Sequence, residues 1–519
     1  MSMEAVLAER LVALGTCAAF GITGSGPSWK LITALETLDV GYLPAGHEAA
    51  AAIMAGGAWR ATGRPAVSVG IKGPGLANML AGIAFNNFEN LPVISACEAY
   101  GRSSPPERMH KRMNQSALLT SVCKGSIGIA EAPERLSALV DLANQEVPGP
   151  VHVDLCADPV DSVPWRLVPP PPEDGAARSA ALRLLDSARR PIVVVGSLAL
   201  RRDWSRTLGS LPVPVFTTAA AKGAVDESAP SSLGVFTGDG KASTPEAEAF
   251  ADCDLVVGLG LRNLEVLSPR PFRAPLLSLD EVGPEHSRGF EPRLTYQTWD
   301  AAAYGEVLAL LSGRPWGADL AGATRQRLTA ALAPSNAWLP PACFTALNAL
   351  GGAYSLAVDT GNFCTIAEHC WLASPARRFL GSSNGRFMGG SIPTAIGAAV
   401  ADRQTAVFCV FGDGGIRMYL GEIALAIRHR LPICFVLMSD GRFGSVAGAS
   451  RGPGLSTAAV STPRASWLDA VAGLGCEVVA PDNPAAFEAA VGSWRRTEPF
   501  YVECSFDPER YARIADVLR

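Results

Sequence analysis

The strongest constraint on this chain lies in its last quarter, where the apolar run Thr405 to Phe411 stops at Gly412-Asp413-Gly414-Gly415. Beyond the glycines, Ile416, Leu420, Ile423, Ile427 and Leu431 recur at helical spacing. Pro432 then opens a second apolar run, Ile433 to Met438, that closes on Ser439-Asp440. Short runs without polar residues suit strands buried on both faces, and the periodic segment between them suits an amphipathic helix. The pattern predicts a strand, a helix and a parallel strand, which brings Asp413 and Asp440, 27 positions apart, to one sheet edge. Open α/β sheets bind ligands in the crevice outside that edge. Glycines beside Asp413 let a phosphate approach the backbone, and two carboxylates suit Mg²⁺ whose remaining positions are filled by diphosphate oxygens.

This arrangement resembles the cofactor fingerprint of thiamine diphosphate (ThDP) enzymes, in which a Gly-Asp-Gly is followed at a set distance by an Asn pair. Ser439-Asp440 stands where the pair would be. Asp440 keeps an oxygen donor there and adds a charge. The resemblance makes the backbone carbonyl of Arg442 the third protein ligand of the metal, beside Asp413 and Asp440. A second Gly-Asp-Gly, Gly238-Asp239-Gly240, has no strand-like run before it, and the residue 27 positions after Asp239 is Val266, which cannot bind a metal.

Far from this motif, Gly46-His47-Glu48-Ala49-Ala50, Trp59-Arg60-Ala61-Thr62-Gly63-Arg64-Pro65 and Lys72-Gly73-Pro74-Gly75 look like the pyrimidine-binding domain of the same family. In that family a glutamate hydrogen-bonds the aminopyrimidine ring and drives it to the imino tautomer that deprotonates the thiazolium C2. Glu48 occupies its position and is the expected catalytic residue. That task needs a carboxylic acid in an apolar setting, able to share a proton with a weakly basic ring nitrogen, and Ala49 to Ala55 supply small, uncharged neighbours. A third match is Met388-Gly389-Gly390-Ser391-Ile392-Pro393. By resemblance Met388 wedges between the two cofactor rings, where a flexible thioether fills an irregular gap, and the Arg386 carbonyl receives the amino group. Asp359-Thr360-Gly361-Asn362 resembles the loop that contacts the diphosphate. Gly361, Asn362, Gly412, Gly414 and Gly415 complete the expected cofactor contacts.

The resemblance spans nearly the whole chain, in the order found in the acetolactate synthase and pyruvate or benzoylformate decarboxylase superfamily. It implies three doubly wound α/β domains with parallel sheets: residues 1–167 binding pyrimidine, 176–325 forming a Rossmann-like middle domain, and 340–519 binding diphosphate. Composition shifts agree. Val168-Pro169-Pro170-Pro171-Pro172-Glu173-Asp174-Gly175 reads as a stiff linker, and a second break lies between Gly313 and Pro341. In the middle segment Gly258-Leu259-Gly260-Leu261-Arg262-Asn263 lacks the third glycine of a dinucleotide fingerprint. Some family members hold FAD there, but no residue of this segment demands it.

The 519 residues carry a formal charge of −5 with no basic stripe, which argues against nucleic-acid or anionic-membrane partners. No apolar run reaches membrane-spanning length, and Met1-Ser2-Met3-Glu4 lacks the basic start of a secretion signal. A cytoplasmic location is expected. The 12 cysteines show no metal-ligand spacing and read as reduced core residues.

Family resemblance further implies that Glu48 and Asp413 meet at one cofactor only across a subunit interface, hence a homodimer or homotetramer. The shared chemistry is decarboxylation of a 2-oxo acid, after which the acyl unit is protonated to an aldehyde or passed to a carbonyl acceptor. Pyruvate-type decarboxylases carry adjacent histidines, whereas this chain has a single His110 in a charged segment. Benzoylformate-type enzymes carry a histidine where Ile71 stands here. Six histidines and no pair tilt the reading toward an acetolactate synthase-like carboligase. A decarboxylase releasing aldehyde is the alternative, and a ThDP-binding protein without catalysis the third. Ser25 and Gln115 match substrate-facing positions of relatives in this superfamily. Lys72 is either a partner for a second anionic group on the substrate or an ordinary surface lysine, and His110 either a substrate contact or a solvated side chain.

Overall fold

A computed structural model describes the chain apart from residues 203, 239–243, 333–336, 450–455, 463–464 and 519. Asp239 and Gly240 of the second Gly-Asp-Gly therefore lie outside the described residues. The first sheet contains β1 (Ala19–Gly21), β2 (Tyr42–Pro44), β3 (Val67–Gly70), β4 (Ile94–Glu98), β5 (Ser126–Gly128) and β6 (Val151–Leu155). The second contains β7 (Pro191–Val195), β8 (Val215–Thr217), β9 (Ser232–Val235), β10 (Leu255–Leu259), β11 (Leu276–Asp280) and β12 (Leu294–Gln297). The third contains β13 (Tyr354–Val358), β14 (Arg377–Gly381), β15 (Ala406–Phe411), β16 (Ile433–Ser439), β17 (Glu477–Val479) and β18 (Phe500–Ser505).

Strand order is β2-β1-β3-β4-β6-β5 in the first sheet, β12-β11-β10-β7-β8-β9 in the second and β14-β13-β15-β16-β18-β17 in the third. Every pairing is parallel, as in β15 with β16, where Val407 faces Ile433. The first and third sheets thus share one topology. The second has the order of a dinucleotide-binding fold. This is the three-layered α/β architecture expected from the sequence. The break expected between Gly313 and Pro341 holds a helix, Ala318–Leu332, because Ala321, Thr324, Leu328 and Leu332 form a buried face at helical spacing.

Five helices position the site: α1 (Glu48–Thr62), α2 (Pro74–Phe88), α3 (Asn362–Cys370), α4 (Ser391–Ala401) and α5 (Asp413–Arg428). Helix α1 starts where the His47 ring accepts the Ala49 N–H and stops at Gly63 in the left-handed region, φ 68°. Its alanine-rich face packs on α4 in a single core cluster that joins Ala50, Met54 and Ala58 to Ile392, Ala395 and Ala399. Backbones touch here. A methyl group on Gly57 would collide with the Thr394 carbonyl, and one on Gly397 with the Met54 carbonyl. Because the same cluster holds Phe20 of the first sheet and Val407 of the third, those two domains share one continuous core.

Overpacking such a contact costs about 1–3 kcal/mol, so Gly397→Ala and Gly57→Ala should each lower the thermal midpoint measured by circular dichroism. An unchanged midpoint would mean that the two helices do not approach to backbone contact.

Candidate cofactor site and active site

At the carboxyl edge of the third sheet, the loops after β13 and β15 flank the point where strand order reverses. A cavity of about 380 Å³ opens there, lined by Thr360 to Phe363, Arg386, Met388, Gly412 to Gly415, Asp440, Arg442 and Phe443 among others. Helices α3 and α5 both begin at it, so their free N–H groups and positive dipole ends favour an anion. Bulk is excluded at the glycines: a methyl on Gly361 would meet the Phe363 ring at 2.6 Å, and one on Gly412 would meet it at 2.9 Å.

Asp413 is buried, and its carboxylate is oriented by three donors: the Ser439 hydroxyl at 2.8 Å, the Asp440 N–H at 3.1 Å and the Gly441 N–H at 3.0 Å. Carboxylate oxygens accept more than one bond, so capacity for a cation remains. One Asp440 oxygen accepts the Arg442 N–H at 3.1 Å. Burial, with the Asp413 charge adding to it, pushes the Asp440 carboxyl up to about 6. Asp413 and Asp440 thus place two carboxylates at the cavity, hard oxygen donors of the kind Mg²⁺ takes. Among the described residues no group of three His, Cys, Asp or Glu side chains could hold a metal alone.

Met388 projects its sulfur against Gly414 and is 39% exposed. Arg386 adopts φ +50°, and its guanidinium pairs with buried Glu368 at 2.9 Å. Asp359 follows β13, is fully buried, and accepts the Gly389 N–H at 2.7 Å. Burial pushes its carboxyl up to about 7. Gly415 leaves the space this carboxylate fills.

Glu48 opens α1, is 6% exposed, and accepts the Asn78 amide at 3.1 Å. Just before it, the Gly46 N–H donates to Glu422 of α5 at 3.0 Å. Glu48 does not line the cavity of its own chain, whose lining residues all fall between 360 and 511. On the same edge of the first sheet, Lys72 is engaged by Glu98 at 2.9 Å. The Ser28 hydroxyl donates to Glu98 at 2.7 Å. Burial pushes the Glu98 carboxyl up, but the Ser28 and Lys72 donors outweigh that and hold it below its usual value. Ile71 separates this pair from Glu48: a methyl on Gly75 would touch both Ile71 and the Glu48 carboxylate, and one on Gly24 both Ile71 and Glu98. Gln115 is buried, accepting the Gly73 N–H at 3.2 Å and donating to Asp154 at 2.8 Å. Ser25 and His110 are exposed.

Sequence reasoning singled out Ser25 and passed over Ser28, Glu98, Asn78 and Glu422. Glu98 carried a usable signal, since it ends an apolar strand much as Asp413 follows one. At the reversal point of the second sheet, the Ser197 N–H at 2.8 Å and the Thr218 hydroxyl at 2.8 Å donate to Glu265. Beside it Arg262 pairs with Asp280 at 2.6 Å and with Glu146 at 2.8 Å.

Residues 1–118, 178–281 and 359–504 match, respectively, the N-terminal TPP binding, central and C-terminal TPP binding domains of thiamine pyrophosphate enzymes. The chain belongs to the thiamine pyrophosphate enzyme family. It is 28% identical over 479 residues to a catabolic acetolactate synthase of Raoultella terrigena, covering 85% of this chain and 83% of that one. An acetolactate synthase large subunit of Parasynechococcus marenigrum is 27% identical, with 85% and 76% covered. A pyruvate oxidase of Lactiplantibacillus plantarum is 24% identical, with 85% and 77% covered. Among the described residues no helix is long and apolar enough to cross a membrane.

Asp359 sets a pH dependence of the cofactor-free protein. An unfolded chain releases this proton near the ordinary value of 3.8 and the folded one only near 7. Between those values the folded form binds more protons, so this group lowers stability as pH rises through the window, by at most about 1.4 kcal/mol per pH unit. Asp359→Asn should flatten that decline in urea titrations between about pH 4 and 7; an unaltered slope would exclude Asp359 as its source.

Proposed function

We propose that this protein is a ThDP- and Mg²⁺-dependent carboligase of acetolactate synthase type, which decarboxylates a 2-oxo acid and transfers the acyl unit to a carbonyl acceptor. The observation that carries the proposal is the cavity lined by Asp413, Asp440 and Arg442 at two helix N-termini, in a chain whose relatives include acetolactate synthases. When bound, ThDP supplies the carbanion and the electron sink for this chemistry. Asp413, Asp440 and, by resemblance, the Arg442 carbonyl would hold Mg²⁺, and the N–H groups of Gly414 and Gly415 would offer donors to a diphosphate. Met388 would support the cofactor rings. Glu48 would hold the proton shared with the aminopyrimidine, from a buried position beside Ala49 to Ala52.

All residues lining the cavity come from the last third of the chain, which supports the expectation that Glu48 is delivered by a second copy. This reading implies a homodimer or homotetramer. The middle domain serves structure rather than dinucleotide binding: Glu265 takes the Ser197 and Thr218 donors that a diphosphate would need, and a carboxylate there repels phosphate. Exposed His110, with no second histidine beside it, supplies no acid pair for aldehyde release and favours ligation.

Incubation with ThDP, Mg²⁺ and a panel of 2-oxo acids, followed by mass spectrometry, should yield CO₂ and an acetohydroxy acid or 2-hydroxy ketone. An aldehyde alone would replace ligation by simple decarboxylation. Glu48→Gln should keep ThDP binding while slowing C2 hydrogen–deuterium exchange by about 10²–10⁴-fold, the usual range for a lost acid–base group. Asp413→Ala should abolish Mg²⁺-dependent retention of ThDP on gel filtration; normal retention would move the metal site elsewhere.

A further inference from the structure

Loop 382–389, which carries both Arg386 and Met388, has no regular structure of its own. Its backbone donors are gathered by one side chain from another domain. Glu89, the residue that caps the end of α2, is 5% exposed and accepts the Gly385 N–H at 2.8 Å, the Ser382 hydroxyl at 3.0 Å and the Ser383 N–H at 3.0 Å. The Asn384 N–H follows at 3.4 Å and Arg60 pairs with the same carboxylate at 3.1 Å. The Ser382 hydroxyl in turn accepts the Phe387 N–H at 2.8 Å. Met388 is therefore fixed on both sides, through Phe387 by this relay and through Gly389 by Asp359.

Packing repeats the connection. The Phe387 ring meets Phe85 edge-on at 5.6 Å and Phe88 at 5.8 Å, both on α2. A methyl on Gly385 would meet Phe88 at 2.9 Å, and one on Gly390 would meet Phe85 at 2.6 Å. The loop thus rests on the last turn of α2 with Glu89 as its anion. A buried carboxylate is tolerated only where its lone pairs are filled. Here the loop's N–H groups fill them, in a loop conformation that turns Met388 into the cavity.

We infer that Glu89 is a positioning residue for the cofactor: its carboxylate sets the loop so that Met388 and the Arg386 carbonyl meet the organic rings, without touching the diphosphate end. The inference rests on the ThDP reading of the cavity. A neutral amide at 89 keeps one acceptor oxygen and turns the other into an NH₂ donor, which faces either the Gly385 N–H or the Ser383 and Asn384 N–H groups, so Glu89→Gln loosens the loop while preserving size.

The test compares two probes by calorimetry on the full-length chain: Mg²⁺ with ThDP, and Mg²⁺ with inorganic pyrophosphate. In Glu89→Gln the ThDP affinity should fall about tenfold or more, as expected when a charged, multiply bonded acceptor is lost, while pyrophosphate affinity stays unchanged. Parallel weakening of both probes would assign Glu89 a general structural role and overturn the inference, as would no change in either. Placing Glu89→Gln in a Met388→Ala background should reduce its effect on ThDP, because one of the two groups it positions is gone; full additivity would overturn it. Hydrogen exchange without any cofactor gives an independent readout: amides 383, 385 and 387 should exchange faster in Glu89→Gln, and unaltered protection there would overturn the inference. A wild-type chain that binds pyrophosphate but not ThDP would overturn the cofactor reading first, and this inference with it.

Discussion

Two glycine contacts, Gly57 against Thr394 and Gly397 against Met54, set the geometry on which the remainder depends. By bringing the backbones of α1 and α4 together they merge the cores of the first and third domains into one cluster. Small residues are needed because any side chain at the crossing would hold the helices apart. The arrangement also decides where Glu48 stands. It opens α1 at one end of this crossing, while the cavity of the same chain opens beyond α3 and α5. Within one chain Glu48 and the cavity are thus held on a shared core, with Glu48 outside the cavity lining.

Acidic side chains form the second organising theme. Glu48, Glu89, Glu98, Glu265, Asp359, Asp413 and Glu422 are all buried. Burying a carboxylate without donors is costly, and each of these has at least one. Asp413 takes three donors from the end of β16 and Glu89 takes three backbone N–H groups from one loop. Glu422 takes the Gly46 N–H next to Glu48. Asp359 is the contrasting case: one of its oxygens is buried without a partner, and burial accordingly outweighs its N–H bonds and raises its carboxyl. Carboxylates at the strand ends are thus used in two ways, as internal anchors for backbone and as groups left with capacity for a cation.

The parallel pair β15–β16 and the Asp413–Asp440 edge were legible in the sequence because apolar run length and helical period are local properties. Residues 405–440 alone carry them. The anchors were not legible, because their partners are distant in the chain: Glu89 reaches loop 382–385, and Glu422 reaches Gly46. A glutamate at a helix end looks the same in sequence whether it caps its own helix or another domain's loop. The helix Ala318–Leu332 escaped for a different reason. Its apolar face is thin, only Ala321, Thr324, Leu328 and Leu332, and the flanking glycines and prolines resembled a linker.

Lys72 shows how a correct neighbourhood can carry an altered charge balance. The residue does stand beside the loop that borders Glu48, one side chain away across Ile71. Its ammonium, however, already sits 2.9 Å from Glu98 and 5.3 Å from the centre of the Tyr100 ring. Glu98 is held charged by Ser28 as well, so the pair is neutral as a unit. A second anionic group on a donor substrate would have to displace Glu98 from Lys72, leaving a buried carboxylate short of a donor. A neutral or apolar group packed against Ile71 meets no such penalty. The first-domain surface beside Ile71 therefore offers no free cation at Lys72 unless this ion pair is broken.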